Sequence, residues 1–258
     1  MKNSLGQRMK IQMGLESEEE RKKRIALEKK DQQKAIEYFD RINSLTEEKP
    51  KYVDIPLEWF KKELWVEGKN YFSSMNRYFE IDDENKLFLD IICRYFTNDK
   101  DFEKITNGEL RKGLLIYGGC GTGKSSIFDI IQAISSKHNI KQIHFKNTSV
   151  HTVVTEFNKE SKAYGNGGEF IIEKYSKGTV HFDDLGTEKQ VQAWGIKEEL
   201  FDRILQVRYN NYKATGKKTF VTTNLSLDKL EKRYSPQVKS RLYEMFNFIP
   251  LVGNDRRF

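Results

Sequence analysis

Residues 118–125 read Gly-Gly-Cys-Gly-Thr-Gly-Lys-Ser, which satisfies the pattern G-x-x-x-x-G-K-[ST]. Few octapeptides restrict a fold so tightly. The glycines permit a backbone curl in which successive N–H groups converge on an anion. Such a loop needs a strand to lead into it and a helix whose N-terminus faces the same anion. The flanks supply both. Residues 113–117, GLLIY, form a short apolar run of buried-strand type, and Ile127, Ile130, Ile131 and Ile134 then recur at helical spacing. Strand, glycine loop and helix make this a phosphate-binding P-loop. Gly118, Gly119, Cys120, Gly121, Thr122, Gly123, Lys124, Ser125 and Ser126 are the expected nucleotide-binding residues. Lys124 is placed to reach the β- and γ-phosphates, and the Ser125 hydroxyl to ligate a metal. ATP and Mg2+ are the implied cofactors.

The rest of the chain extends this unit. Residues 82–96, DDENKLFLDIICRYF, carry Leu87, Phe88, Ile91, Ile92, Tyr95 and Phe96 on one helical face, with Asp82 or Asp83 as N-cap. Beyond the P-loop, 140–145, 179–182, 218–223 and 247–252 read as strands. Residues 149–175, interrupted by YGNGG, and 196–212 read as helices, and Ser226 could cap a short helix running to Tyr234. Pro250 argues that the last strand lies at an edge. Strands alternating with helices imply an α/β fold, a parallel sheet with helices on both faces. In such sheets ligands bind at the carboxyl ends of the strands.

Three further segments end in polar residues suited to that position. TVHFDD is an apolar strand followed by acid, the Walker B pattern, with Asp183 expected to hold the metal. Asp184 stands where related ATPases place a glutamate that activates water, and Glu188 is a second candidate. TFVTTN ends in Asn224, an amide beside the γ-phosphate and the attacking water, or otherwise a simple Asn turn. Arg241, Arg256 and Arg257 could contact phosphate in bidentate fashion. Arg241 could equally pair with Glu244, and the last two could be a solvated tail.

Charge and composition bound the setting. Residues 1–50 carry a net +2 and residues 208–258 a net +7, out of +7 for the whole chain, so the remainder is near −2. The basic C-terminal fifth suits nucleic acid, or a solvated surface with a few phosphate-sensing arginines. Cys93 and Cys120 form no CxxC pair, which excludes a disulfide framework or a cysteine zinc site. There is no apolar run near 18 residues and no signal-peptide core, so a cytoplasmic protein without a membrane partner is expected. Residues 1–80 are first charged, then rich in aromatics, and are expected to form a helical, partner-docking region ahead of an ATPase domain at 81–258. The aromatics at 57–80 suit core packing or a docking surface.

The runs KGLLIYGGCGTGKSS, VHFDDLGTE, the Arg208-Tyr209 pair, FVTTNLS, YSPQVKSRLYEMF and GNDRRF together resemble the DnaC/DnaI-type helicase-loader ATPases. The IstB transposition ATPases share this core, and both are of the AAA+ class. The resemblance spans about residues 80–258. It implies a five-stranded parallel sheet of order 5-1-4-3-2 and a C-terminal lid cut short at Phe258. It implies that Asn224 is the sensor-1 residue, Arg241 an arginine finger acting in trans and Arg257 the sensor-2 arginine, with Arg256 close behind. It implies ATP hydrolysis in a homo-oligomer with shared sites, single-stranded DNA as ligand, and a replicative helicase bound through the N-terminal region. The IstB-like alternative is a regulator that recruits a transposase to duplex DNA, and a nucleotide-gated interaction module with negligible turnover is a third reading. Segment 146–178 would line the pore, with Lys159, Lys162, Lys174, Lys177, Phe157, Tyr164 and Phe170 beside DNA, unless it is an amphipathic helix packed on the sheet.

Overall fold

A computed structural model describes residues 53–164, 167–193 and 196–256, together with scattered positions between 19 and 37. The chain divides into two units, residues 1–52 and 53–258. In the first unit the described positions are helical and exposed. The rest of the charged N-terminal stretch lies outside the described residues, as does Arg257.

The second unit starts with three helices, α1 (Leu57–Ser73), α2 (Lys86–Phe96) and α3 (Asp101–Thr106). Then follow β1 (Gly113–Tyr117), α4 (Lys124–Lys137), β2 (Lys146–Ser149), α5 (Val150–Tyr164), α6 (Glu169–Ser176) and β3 (Val180–Asp183). A hairpin of β4 (Val191–Ala193) and β5 (Ile196–Glu198) leads to α7 (Leu200–Thr215) and β6 (Thr219–Thr223). The unit closes with α8 (Leu227–Arg233), α9 (Pro236–Met245) and β7 (Phe246–Pro250).

The main sheet has the order β2-β3-β6-β1-β7, and all its pairings are parallel. Without the hairpin, its strands in sequence order are 2-3-4-1-5, which is the expected 5-1-4-3-2 read from the other edge. Alternation along the strands sends side chains to two cores. Leu114, Ile116, Phe220 and Ile249 pack with α1, α2 and α4, whereas Leu115, Val180, Phe182 and Val221 pack with α5 to α9. Pro250 closes β7, an edge strand, where a missing N–H breaks no ladder.

The compact unit begins at Val53. The reason is α1. Phe60 and Leu64 are buried in the same cluster as Ile127, Phe128 and Ile131 of α4, with Trp59, Tyr71, Phe72 and Phe79 partly buried against it. The strand expected at 140–145 is displaced. Ile140 and Ile143 are both buried, and a spacing of three suits the 3-10 turn found at Lys141–Ile143. The strand follows as β2, in register with β3. Ile196 lies in the hairpin rather than in the helix expected over 196–212, and α7 begins at Leu200.

After β2, segment 146–178 forms helices packed on the sheet. Val150, Val153, Phe157, Ile171, Ile172 and Tyr175 anchor α5 and α6 in the core. Glu160 of α5 accepts the Phe170 and Ile171 backbone N–H groups at 3.2 and 3.0 Å and so caps α6. Of the expected DNA contacts, Phe157 is therefore core, Lys174 is paired with Glu156 at 2.7 Å, and Lys177 is paired with Glu173. Lys159, Lys162 and Phe170 remain exposed.

Candidate functional site

The P-loop links the end of the central strand β1 to α4. Gly123 precedes the helix at φ 98°, a left-handed conformation in which a side chain would be strained. This turn directs Lys124 back into the loop. Its ammonium, almost fully buried, donates to Gly118 O at 3.0 Å, Gly119 O at 2.5 Å and Asn224 Oδ1 at 2.8 Å. A phosphate entering the loop competes with these carbonyls for the same cation. Cys120 is exposed on the outer turn.

Ser125 donates to Asp183 Oδ1 at 2.6 Å, and the Thr222 hydroxyl donates to the same carboxylate oxygen. Strand pairing creates this meeting, because β3 and β6 end side by side. A serine hydroxyl and a carboxylate are hard oxygen donors suited to Mg2+, which takes few protein ligands and completes its shell with phosphate and water. Among the described residues no group of three His, Cys, Asp or Glu would hold a metal unaided. The donor set therefore fits an ion brought in with a nucleotide.

Asp184 adopts φ 61°, a conformation uncommon outside glycine and tolerated best by Asp and Asn. Its N–H donates to Thr222 Oγ1 at 3.1 Å, and its carboxylate accepts from the Asn224 amide at 2.7 Å. Burial, followed by the neighbouring Asp183 charge, raises its pKa above the ordinary carboxylate value, against the opposing pull of Lys124. Glu188, the second candidate for activating water, is engaged elsewhere. Its carboxylate accepts from Gly186 N at 2.7 Å and from the Tyr234 hydroxyl, and it lies 3.7 Å from Arg233 Nε. It holds the loop after β3 in place and is not turned to the P-loop.

Lys124, Ser125, Asp183, Asp184 and Asn224 are thus joined in one hydrogen-bonded set, while the described side chains of Arg241 and Arg256 are engaged elsewhere. Arg241 lies on α9 with its guanidinium 5.1 Å from the Tyr209 ring centroid. Glu244, its possible helical partner, instead accepts from the Tyr209 hydroxyl at 2.7 Å. Arg256 makes a two-pronged pair with Asp82, at 2.6 and 2.9 Å, rather than facing the P-loop lysine.

A second polar chain escaped the sequence reading. Tyr71 donates to Asp129 Oδ2 at 2.9 Å, and the Asn147 amide donates to Asp129 Oδ1 at 2.5 Å. Asn147 therefore turns its oxygen to His181 Nδ1 at 2.7 Å, which fixes that ring nitrogen as the donor. His181 is fully buried and stacked on Phe128 at 3.9 Å, and burial pushes its pKa down to about 3. The chain connects α1 and α4 to the strand that carries Asp183. No local pattern in α4 signals it, since Asp129 lies off the face formed by Ile127, Ile130, Ile131 and Ile134.

Beside the loop opens a cavity of about 580 Å3. Phe72, Phe79, Phe88, Leu89 and Ile127 supply its apolar lining, with Thr122, Gly123 and Ser126 at the phosphate end. This shape suits a planar base attached to phosphates.

The sheet order, the loop on β1, the acid pair closing β3 and the amide after β6 define a P-loop ATPase fold of the AAA+ class. Within that class the fold is of the DnaC type: the DnaC helicase loader superposes with a TM-score of 0.50 at 25% identity, covering 71% of this chain and 99% of that one. DnaI is similar over 71% of this chain and 89% of its own, at 21% identity and a TM-score of 0.47. AMPPCP-bound DnaA from Aquifex aeolicus matches over 69% of this chain and half of its own, at 17% identity and a TM-score of 0.48. No family model and no curated protein sequence matches the chain. Among the described residues no helix is long and apolar enough to cross a membrane.

Proposed function

We propose that this protein hydrolyses ATP with Mg2+ and uses the cycle to load a replicative helicase onto single-stranded DNA. The observation that carries the ATPase reading is the placement of Asn224 between the Lys124 ammonium and the Asp184 carboxylate. One amide thereby links the phosphate-binding cation to the acid that would orient water. In this reading the P-loop amides and Lys124 hold the β- and γ-phosphates. Ser125 directly, and Asp183 through water, hold the metal, which neutralises the charge that develops during transfer. Asp184 receives the proton of the attacking water, helped by a pKa that burial has raised.

Among the described residues, the hydrogen-bonded set consists of Lys124, Ser125, Asp183, Asp184 and Asn224, and a homo-oligomer would complete it. Arg241 would arrive from a neighbouring copy, and Arg257 would act as the sensor-2 group. The N-terminal region, residues 1–52, would carry the helicase contact. The exposed Lys159, Lys162 and Phe170 would meet the DNA strand.

Mixing Arg241→Ala with Lys124→Ala protein tests the shared site. Hydrolysis should partly recover at hybrid interfaces, and no recovery at any ratio would sink the trans assignment. ATP-dependent binding to single-stranded and duplex DNA tests the loading role. Preference for duplex would favour the transposase-recruiting alternative, and ATP binding without turnover a nucleotide-gated module.

A further inference from the structure

Arg256 ties together two segments 174 residues apart in sequence. Its Nη1 and Nη2 donate to Asp82 Oδ2 and Oδ1 at 2.6 and 2.9 Å, and Nη2 also lies 3.3 Å from Glu84 Oε2. Asp82 is set rigidly to receive it. The Asp82 carboxylate accepts the Glu84 and Asn85 N–H groups at 3.0 and 3.1 Å, while Asp82 N donates to Asn85 Oδ1 at 3.0 Å. The buried Asn85 donates in turn to Glu80 O at 2.8 Å. On the other side, the Arg256 N–H donates to Gly121 O at 3.1 Å, so the tail is bonded to the P-loop itself. Asp255 lies so close that a Cβ on Gly121 would come within 1.8 Å of its carboxylate.

These segments are walls of one space. Asp82, Glu84 and Asn85 line the 580 Å3 cavity from one side, and Asn254, Asp255 and Arg256 line it from the other. We infer that the Asp82–Arg256 pair is a clasp on the nucleoside cavity, which slows release of a bound purine nucleotide by holding the tail against the 80–85 turn. The inference rests on reading the P-loop site as a nucleotide site. It gives Arg256 a task different from sensing the γ-phosphate. A sensor touches a group that ATP has and ADP lacks, whereas a clasp beside the P-loop and the base holds both nucleotides alike. The pair is bidentate and partly sheltered, with Arg256 27% and Asp82 42% exposed at the side chain. The guanidinium keeps the Asp82 carboxyl at about 2, so the clasp stays charged throughout the neutral range.

The test is stopped-flow release of fluorescent ATP and ADP analogues from the full chain, with wild type, Asp82→Asn, Arg256→Gln and the double variant. Asp82→Asn keeps an acceptor for the Glu84 and Asn85 N–H groups, and thermal melting checks that each variant is folded. Each single change should speed release of both nucleotides by about two- to fivefold, with association little altered. The double variant should be no worse than the singles, because both remove one interaction. The ATP to ADP affinity ratio should stay at its wild-type value. A loss confined to ATP, additive effects in the double variant, or folded variants that release at the wild-type rate would each overturn the clasp. Wild-type protein that binds neither nucleotide would overturn the ATP reading, and the clasp with it.

Discussion

Asn224 accepts a hydrogen bond from the Lys124 ammonium at 2.8 Å, across 100 residues of sequence. Its orientation is forced by chemistry. An ammonium only donates and a carboxylate only accepts, so the amide oxygen faces Lys124 and the amide nitrogen faces Asp184. Replacing Asn224 by Ala removes both links and leaves the P-loop backbone untouched. Turnover should fall by about a hundredfold, as for loss of a single preorganised polar group at a transition state. Nucleotide affinity should change by less than about threefold, since Lys124 and the P-loop amides, which hold the phosphates in this reading, are unaltered. Steady-state hydrolysis together with equilibrium binding reads the two effects separately.

Asp184 combines a chemical role with a strained backbone, at φ 61°. The two can be separated, because Asn tolerates the left-handed region nearly as well as Asp and Ala does not. Asp184→Asn should fold with wild-type thermal stability and lose nearly all hydrolysis. Asp184→Ala should lose hydrolysis and, in addition, about 1 kcal/mol of stability. Urea unfolding of the two variants side by side checks the difference, and equal stabilities would show that the backbone conformation is unstrained.

The site was legible in the sequence wherever chemistry is local. Lys124 and Ser125 sit in one octapeptide and Asp183 ends a short apolar strand, so each is recognisable from its own neighbours even though Ser125 and Asp183 meet across 58 residues. The strand order followed from the resemblance and held once the hairpin is set aside. Legibility failed where contacts join distant segments. Nothing near Tyr71, Asp129, Asn147 or His181 shows that they will line up, because β2 and β3 must first pair. Lys174 and Lys177 read as part of a cationic surface because their acidic partners, Glu156 on the adjacent helix and Glu173 one turn away, are not apparent from charge pattern alone. Arg256 read as a phosphate ligand for the same reason, Asp82 being 174 residues distant.

Arg208 belongs to the same class. It appears in the sequence only as half of the Arg208-Tyr209 pair, yet it is 2% exposed and its guanidinium is surrounded by acceptors, Lys177 O at 3.5 Å among them. It donates to Thr219 Oγ1 at 2.7 Å, Tyr175 O at 2.8 Å, Gly178 O at 2.8 Å and Lys218 O at 3.1 Å. These bonds fasten α7 to the loop before β3 and to the start of β6. Burial lowers its pKa to about 10, so it remains charged at neutral pH. Arg208→Lys should destabilise the fold by about 3 kcal/mol, because an ammonium cannot reproduce the planar fork and leaves buried acceptors unpaired. Chemical denaturation measures this, and a loss below about 1 kcal/mol would show that water replaces the fork.

Lys218 gives a pH dependence of definite sign. Its ammonium donates to Leu110 O at 2.5 Å and lies 4.7 Å from the Tyr95 ring centroid, and burial lowers its pKa from 10.5 to about 8. At pH 7 the amine is protonated in folded and unfolded chains alike, and the folded state bears the cost of sheltering a charge. Above pH 8 the folded chain releases its proton first, while the unfolded chain keeps its own until about 10.5. The unfolded state then binds more protons, so stability from this group rises across that window. Lys218→Met keeps the apolar stem and removes the titration. Between pH 8 and 10 the wild-type protein should gain on the order of 1–3 kcal/mol relative to Lys218→Met. Urea midpoints of the two proteins at half-unit intervals of pH measure the difference, and parallel curves would show that the amine titrates at its ordinary value in the folded chain.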